Sequence, residues 1–151
     1  SEKNLSKFAT YFERTGQEEC IYSIFQKDSM EKFIGYVGFH RELNGDYEIE
    51  FYIAKNYRRK GYCEEACKAV IKQIFGEGLS VDHNQITVNR LYATTLAENT
   101  PAVELLKKIG FHGDNPEDGP ILVMQGFLDE DKEINICPVI KMIYEKKSMC
   151  T

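Results

Sequence analysis

The stretch Tyr57-Arg58-Arg59-Lys60-Gly61-Tyr62-Cys63 gathers three cations and a glycine between a strand-like run and a helix-like one. A helix start offers about four backbone N–H groups without intrahelical partners, together with partial positive charge. Glycine lets the backbone approach an anion closely. The combination fits a pyrophosphate or another dense anion. A solvated basic turn is the competing reading, and the placement between strand and helix favours the anion. GxxxxGK[ST] and GxGxxG are both absent, which argues against an ordinary NTPase or dinucleotide enzyme.

A second group of chemistry-bearing residues lies just upstream. In YEIEFYI (Tyr47 to Ile53), strand alternation puts Glu48, Glu50 and Tyr52 on one face. Tyr47, Ile49, Phe51 and Ile53 take the other. A carboxylate there could accept a proton from an amine, directly or through water; a surface ion pair is the plainer reading. The tyrosines Tyr36, Tyr47, Tyr52, Tyr62 and Tyr92 read as core or sheet-face aromatics. The five cysteines (Cys20, Cys63, Cys67, Cys137, Cys150) show no CxxC spacing and read as free thiols in a reducing, cytoplasmic setting. His40, His83 and His112 lie far apart, and no zinc spacing emerges, so no metal is expected.

These groups need a scaffold. Leu5, Phe8, Ala9 and Phe12 predict a helix over Asn4 to Gly16. Strands are predicted over Cys20 to Lys27 and Phe33 to Leu43. The Asn44-Gly45-Asp46 turn then makes Tyr47 to Ile53 antiparallel to the second strand. From Tyr62 the period changes from two to 3.6, and Cys63, Ala66, Cys67, Val70, Ile71 and Ile74 form an apolar stripe. Glu64 and Lys68 form a helical i,i+4 pair, and Gly76 and Gly78 end the helix. A polar loop is predicted as far as Asn89. Arg90 to Thr95 is a strand.

A second clear helix follows, capped by Asn99 or Thr100, with Pro101 in its first turn, a Glu104–Lys108 pair and Gly110 at its end. Ile121 to Leu128 and Ile134 to Lys146 predict a final hairpin, with Pro138 implying an edge position or a bulge. One α/β domain over residues 1–151 on a mixed sheet accounts for this order.

Charge and hydropathy restrict the partners. Nineteen Lys plus Arg against 24 Asp plus Glu leave a net charge of −5, which argues against nucleic acid held on a broad basic surface. No run reaches the roughly 18 apolar residues that a membrane span needs. The first residue is Ser1 rather than Met, as in a processed or trimmed product.

Two blocks together resemble a known family. RRKGYC is similar to the [RQ]-x-x-G-x-[GA] motif of the GCN5-related N-acetyltransferases (GNATs), with Arg58 first, Gly61 as the fixed glycine and Cys63 in a small-residue position. YRRKGYCEEA also resembles the wording of the RimJ/RimL-like ribosomal-protein branch, as does AENTPAVELLKKIGF (Ala97 to Phe111). The resemblance covers roughly residues 33–111.

It implies a mostly antiparallel sheet flanked by helices, binding of acetyl-CoA, and acetyl transfer to a primary amine on a protein N-terminus or a small molecule. Backbone groups of Phe51, Tyr52 and Ile53 would pair with the pantetheine arm. The N–H groups from Arg59 through Lys60, Gly61, Tyr62 and Cys63 would hold the pyrophosphate beside Arg58. Asn99 would contact the pantetheine or lie close to the thioester. Lys107 or Lys108 would reach nucleotide phosphates. Glu48 aligns with the glutamate of the family's E-I-G-Y strand and ranks first as base, with Glu50 second.

Three departures accompany the resemblance. The serine of the second block is Ala102, and the position that carries a tyrosine in other branches is Leu106. The start is shorter than the family's, which leaves an open or partner-completed acceptor side, including a homodimer. A non-catalytic acyl-CoA-binding or interaction module on the same fold is the alternative function.

Overall fold

The computed structural model describes residues 19–26, 29–42, 45–81 and 83–146. The helix expected over Asn4 to Gly16 lies outside these residues. The chain divides into two compact units, one reaching Leu91 and including Lys146, the other spanning Tyr92–Glu145.

In the first unit, β1 (Glu19–Gln26), β2 (Ser29–Arg41) and β3 (Tyr47–Ile53) form an antiparallel meander. β3 has the predicted bounds, and its alternation is realised: Tyr47, Ile49 and Ile53 are buried, whereas Glu50 and Tyr52 are exposed. β2 starts earlier than its apolar pattern suggests, because backbone pairing carries the ladder back to Ser29 opposite Gln26. A single 3-10 turn (Lys55–Tyr57) then leads to α1 (Tyr62–Glu77).

Cys67, Ile71 and Ile74 on α1 are buried, as are Val37, Phe39, Ile49 and Ile53 on the strands it packs against. Each large aliphatic side chain removed from water contributes about 1.5–3 kcal/mol. This core anchors the helix whose free end matters below. Lys68 Nζ meets Glu64 Oε1 at 3.3 Å, the expected pair.

Two sequence expectations fail here. Gly76 does not end α1; the helix continues to Glu77, and the Gly78 N–H bonds to the Ile74 carbonyl at 2.7 Å. The stretch read as a polar loop contains a short hairpin, β4 (Leu79–Val81) with β5 (Asn84–Ile86). Its three-residue strands are too short to show periodicity, but Leu79 and Val81 are buried on one side of the pleat.

The second unit takes in β6 (Arg90–Leu96) from Tyr92 onward, then α2 (Thr100–Ile109), β7 (Ile121–Leu128) and β8 (Ile134–Glu145). Its sheet order is β6-β8-β7. The core holds Tyr92, Val103, Leu106, Ile109, Phe111, Val139, Met142 and Ile143.

Pro138 is therefore on an inner strand and makes no bulge, since Met124 pairs with it in unbroken register. The reason is local. A strand residue's N–H and C=O point to the same side, and the Pro138 carbonyl accepts from the Ala97 N–H at 3.0 Å, one residue past the end of β6. The missing N–H thus falls where the β6 ladder has already stopped. The β1–β2, β2–β3, β4–β5 and β7–β8 pairings are antiparallel, and the fold is α/β with a mostly antiparallel sheet. Among the described residues no helix is long and apolar enough to cross a membrane.

Candidate functional site

The turn from β3 into α1 ends on an open helix start. Gly61 occupies the N-cap position in the left-handed region (φ 81°, ψ 2°), and no side chain caps the helix. The Gly61 carbonyl accepts from the Glu65 N–H at 3.1 Å, so the intrahelical ladder begins there. The N–H groups just before Glu65 are those that a helix start leaves for an outside acceptor. Arg59 also has positive φ (63°). Left-handed residues within a turn bend successive N–H groups toward one concavity suited to an anion. A Cβ added at Gly61 would meet nothing within 4 Å, so the space in front of the turn is open.

The cations around this turn differ in their freedom. Arg58 Nε donates to the Ile53 carbonyl at 2.9 Å, and its guanidinium carbon lies 5.9 Å from the Tyr52 ring centre. Arg58 therefore ties the loop back onto the end of β3 and keeps its outer N–H groups for a ligand. The same bond uses one lone pair of a carbonyl that the resemblance assigns to pantetheine. Lys60 Nζ sits 5.8 Å from the Tyr57 ring centre, and Arg58, Arg59 and Lys60 are all exposed. Tyr62 is half-buried, its ring tilted against Tyr57 at 6.4 Å.

Cys63, in the first turn of α1, has Sγ 4.0 Å from Cys67 Sγ. Both are free thiols. The hydrogen bond with Cys67 holds the Cys63 thiol below its usual range, and the same bond together with burial pushes Cys67 up.

The predicted carboxylates are brought together by a residue that linear spacing did not select. His40 on β2 lies directly across from Glu48 on β3. Its Nε2 is 3.2 Å from Glu48 and 2.9 Å from Glu42, and its Nδ1 is 3.2 Å from Glu50. Hydrogen bonds to Glu48 and then Glu50 push the His40 pKa up to about 10, against a smaller opposing effect of burial. His40 is thus an imidazolium at neutral pH, and both ring nitrogens donate.

Glu42 is held above the usual carboxylate range, mainly by a side-chain hydrogen bond with Glu48 and then by burial, against the opposing pull of His40. Glu48 is the more enclosed carboxylate, with 17% side-chain exposure against 47% for Glu50. The Tyr36 and Tyr52 rings stack at 5.9 Å on the same face. His40, Glu42 and Glu48 also present ligand atoms within 4.8 Å of one another. The hairpin turn could have revealed His40, because residues 40 and 48 are equidistant from residue 44 in the sequence.

The remaining predicted residues belong to the second unit. Asn99 is the N-cap of α2, and its Oδ1 accepts from the Ala102 N–H at 3.4 Å, which leaves the side-chain amide N–H groups uncommitted by this bond. Lys107 Nζ reaches Glu104 at 3.4 Å, so the intrahelical pair is Glu104–Lys107 rather than the expected Glu104–Lys108. Such an exposed pair contributes at most about 1 kcal/mol and yields readily to another anion. Leu106 is buried, so the position of the absent tyrosine faces apolar core.

Comparison with known proteins gives this geometry a context. The sequence matches the family model for the acetyltransferase (GNAT) domain over residues 1–112. It is 32% identical over 94 residues to the uncharacterized N-acetyltransferase YnaD of Bacillus subtilis (strain 168), covering 55% of this chain and 51% of YnaD. It is 34% identical over 90 residues to YjdG, another uncharacterized N-acetyltransferase of that organism, covering 58% and 48%. The chain spans about half the length of these curated relatives.

Among solved structures, a mutant spermidine N-acetyltransferase SpeG from Vibrio cholerae shares the fold with a TM-score of 0.64 at 16% identity, over 96% of this chain and 75% of that one. The microcin C7 self-immunity acetyltransferase MccE, solved in complex with acetyl-CoA and AMP, gives 0.59 at 16% identity, over 85% and 61%. At such identities the likeness speaks to fold. The family match covers most of the sequence and includes the open helix start, the carboxylate strand and α2: the chain belongs to the GNAT family of acetyltransferases.

Proposed function

We propose that this chain binds acetyl-CoA with the pyrophosphate at the start of α1 and transfers the acetyl group to a primary amine. The observation that carries this reading is the uncapped, left-handed entry at Gly61, ringed by Arg58, Arg59 and Lys60. An anion there would accept from the otherwise unpaired N–H groups and meet the positive end of the helix dipole. Backbone groups of Phe51, Tyr52 and Ile53 would pair with the pantetheine arm, and Lys107 would exchange Glu104 for a nucleotide phosphate.

The amine attacks the thioester carbonyl, a C–N bond forms, and the C–S bond breaks to release CoA thiolate. Thiolate with a conjugate-acid pKa near ~8.5 leaves without a dedicated acid. This suits a chain with Ala102 and Leu106 where the motifs it resembles have hydroxyls. The amine's proton passes to Glu48 or, through water, to Glu50. His40 fixes both carboxylates. An α-amine with a pKa of roughly 8 gives up its proton more readily than a lysine amine at ~10.4. Three carboxylates around one imidazolium keep a net negative charge that attracts an ammonium group.

The RimJ/RimL-like wording of residues 97–111 favours a peptide N-terminus as acceptor over a small metabolite. Free thiols at Cys20, Cys63, Cys67 and Cys137 suit a reducing cytoplasm. A second reading, acyl-CoA binding without turnover, is favoured by the missing hydroxyls. Thiol release from acetyl-CoA across peptide N-termini and small amines, run beside calorimetric CoA titration, separates the readings. Release with an α-amine supports transfer; saturable binding without release supports the second reading; no binding overturns both.

A further inference from the structure

Cys63 and Cys67 stand one turn apart on α1, with their sulfurs 4.0 Å from each other. Residues at i and i+4 of a helix have Cα atoms about 6.2 Å apart, inside the range that a disulfide spans. Their Cβ atoms are about 5–6 Å apart, whereas a disulfide needs roughly 3.5–4.5 Å. Joining the two sulfurs therefore requires one residue to move inward by about 1–2 Å.

Packing decides which one moves. Cys67 is fully buried, on the row of α1 that also buries Ile71 and Ile74. Cys63 is half-buried, two residues past the Gly61 N-cap. Its N–H precedes the first intrahelical bond, from Glu65 to Gly61, so the helical ladder does not hold that amide. Cys63 is thus the residue that yields, and it carries with it one of the N–H groups left for an outside acceptor. The same asymmetry orders the chemistry. The helix start and the hydrogen bond with Cys67 favour thiolate at Cys63, while that bond and burial keep Cys67 protonated.

We propose that a hydroperoxide oxidises Cys63 and Cys67 to a reversible disulfide, and that this bond weakens acetyl-CoA binding at the start of α1. The second half rests on the acetyl-CoA site proposed above. The Cys63 thiolate attacks a peroxide oxygen, the O–O bond breaks, and the departing hydroxide takes a proton to leave as water; Cys63 is now a sulfenic acid. The Cys67 thiol attacks that sulfur, gives up its proton and expels the hydroxyl group as a second water. Two thiols have lost two hydrogens, and the peroxide has been reduced to water. The second step takes place between the two sulfurs, so Cys67 needs no access to solvent. A disulfide that strains its helix is readily reduced again.

The full wild-type chain is treated with a small excess of hydrogen peroxide, quenched with catalase and digested with trypsin. The peptide Gly61–Lys68 holds both of these cysteines and no other. It should be lighter by two hydrogens and regain them with dithiothreitol. Calorimetry uses acetyl-CoA, whose blocked sulfur cannot reduce the bond. Affinity should fall by about tenfold or more on oxidation, because the displaced Cys63 N–H loses its bond to a charged phosphate, and should recover with dithiothreitol. A peptide of unchanged mass, or one that only gains oxygen, overturns the disulfide. An oxidised chain that carries the disulfide and binds acetyl-CoA as tightly as the reduced one overturns the coupling but not the site. A reduced chain that binds no acetyl-CoA overturns the site and the coupling with it, while the peptide mass still judges the disulfide. Cys67→Ala oxidised in the presence of dimedone should carry the adduct on Cys63, and no adduct there overturns the order of attack. If that variant does not fold, the same dimedone labelling of the wild type during oxidation decides the order: an adduct on Cys63 supports it, and one on Cys67 alone overturns it.

Discussion

α1 and α2 both follow a strand of the chain, yet their first turns are completed in opposite ways. α2 opens with a polar side chain that turns back on its own backbone, Asn99 to the Ala102 N–H. α1 opens with a glycine that has no side chain to offer and is surrounded by three cations. A capped helix start satisfies itself. An uncapped one at the surface leaves its N–H groups to water or to an anion. The difference teaches where ligand affinity resides and where stability resides: the start of α1 should respond to mutation in binding, and the start of α2 in melting temperature.

The strongest way to break this contrast is to close the α1 start. Arg58→Glu with Gly61→Val should reduce CoA affinity by at least about 100-fold, since each lost charge-assisted hydrogen bond is worth about 1.5–3 kcal/mol. The added Cβ meets no atom within 4 Å. Its intramolecular cost is confined to the left-handed backbone, about 1–2 kcal/mol. Calorimetry with circular dichroism as the fold control should show lost binding in a folded chain, and unchanged affinity would remove the site from α1. A smaller probe uses Cys63, whose lowered thiol pKa favours alkylation. Bound CoA should slow its reaction with iodoacetamide, and an equal rate with and without CoA would count against a ligand at this turn.

Glu48→Gln separates chemistry from binding. Turnover should fall by about 10- to 100-fold with CoA affinity nearly unchanged, and full activity would shift the base role to Glu50 or to water. His40 shapes the same face and sets a pH signature. Its pKa is about 10 in the folded chain and about 6.5 when unfolded. Its contribution is therefore fully present below pH ~6.5 and is lost progressively as pH rises toward 10. The wild-type melting temperature should fall across that window by ~2–4 °C more than that of His40→Asn. Parallel curves would mean that the imidazolium contributes nothing to stability.

Much of this layout was legible in the sequence where local physics decides the outcome. The period change at Tyr62, the alternation of Tyr47 to Ile53 and the Asn99–Pro101 helix opening each depend on neighbours within a few residues. Features set by partners distant in sequence, by very short registers or by a choice between near neighbours were harder to read. Pro138 on an inner strand is explained by where β6 stops, and β4–β5 by a register of only three residues. The pairing of Glu104 with Lys107 is a choice between adjacent turns of one helix that spacing alone does not rank. His40 is the instructive intermediate case. Histidine spacing along the chain was uninformative, whereas the turn at Asn44-Gly45-Asp46 already placed His40 opposite Glu48.

The smallest expected effect sharpens the contrast between the helices most. Asn99→Ala removes the α2 cap. With a donor–acceptor distance of 3.4 Å at an exposed position, the cost should fall at the low end for a lost cap, about 0.5–1 kcal/mol. That corresponds to ~1–4 °C in melting temperature. Asn99→Ser restores a capping oxygen but not the amide N–H groups. If Asn99 acts only as a cap, the serine variant should match the wild type in both melting temperature and kcat/KM. If its amide also donates to pantetheine or the thioester, the serine variant should keep its stability and lose about tenfold in kcat/KM, the worth of one good hydrogen bond. The second result would place ligand contact at the start of α2 as well, and the two helix starts would then differ in how they are closed but not in what they serve.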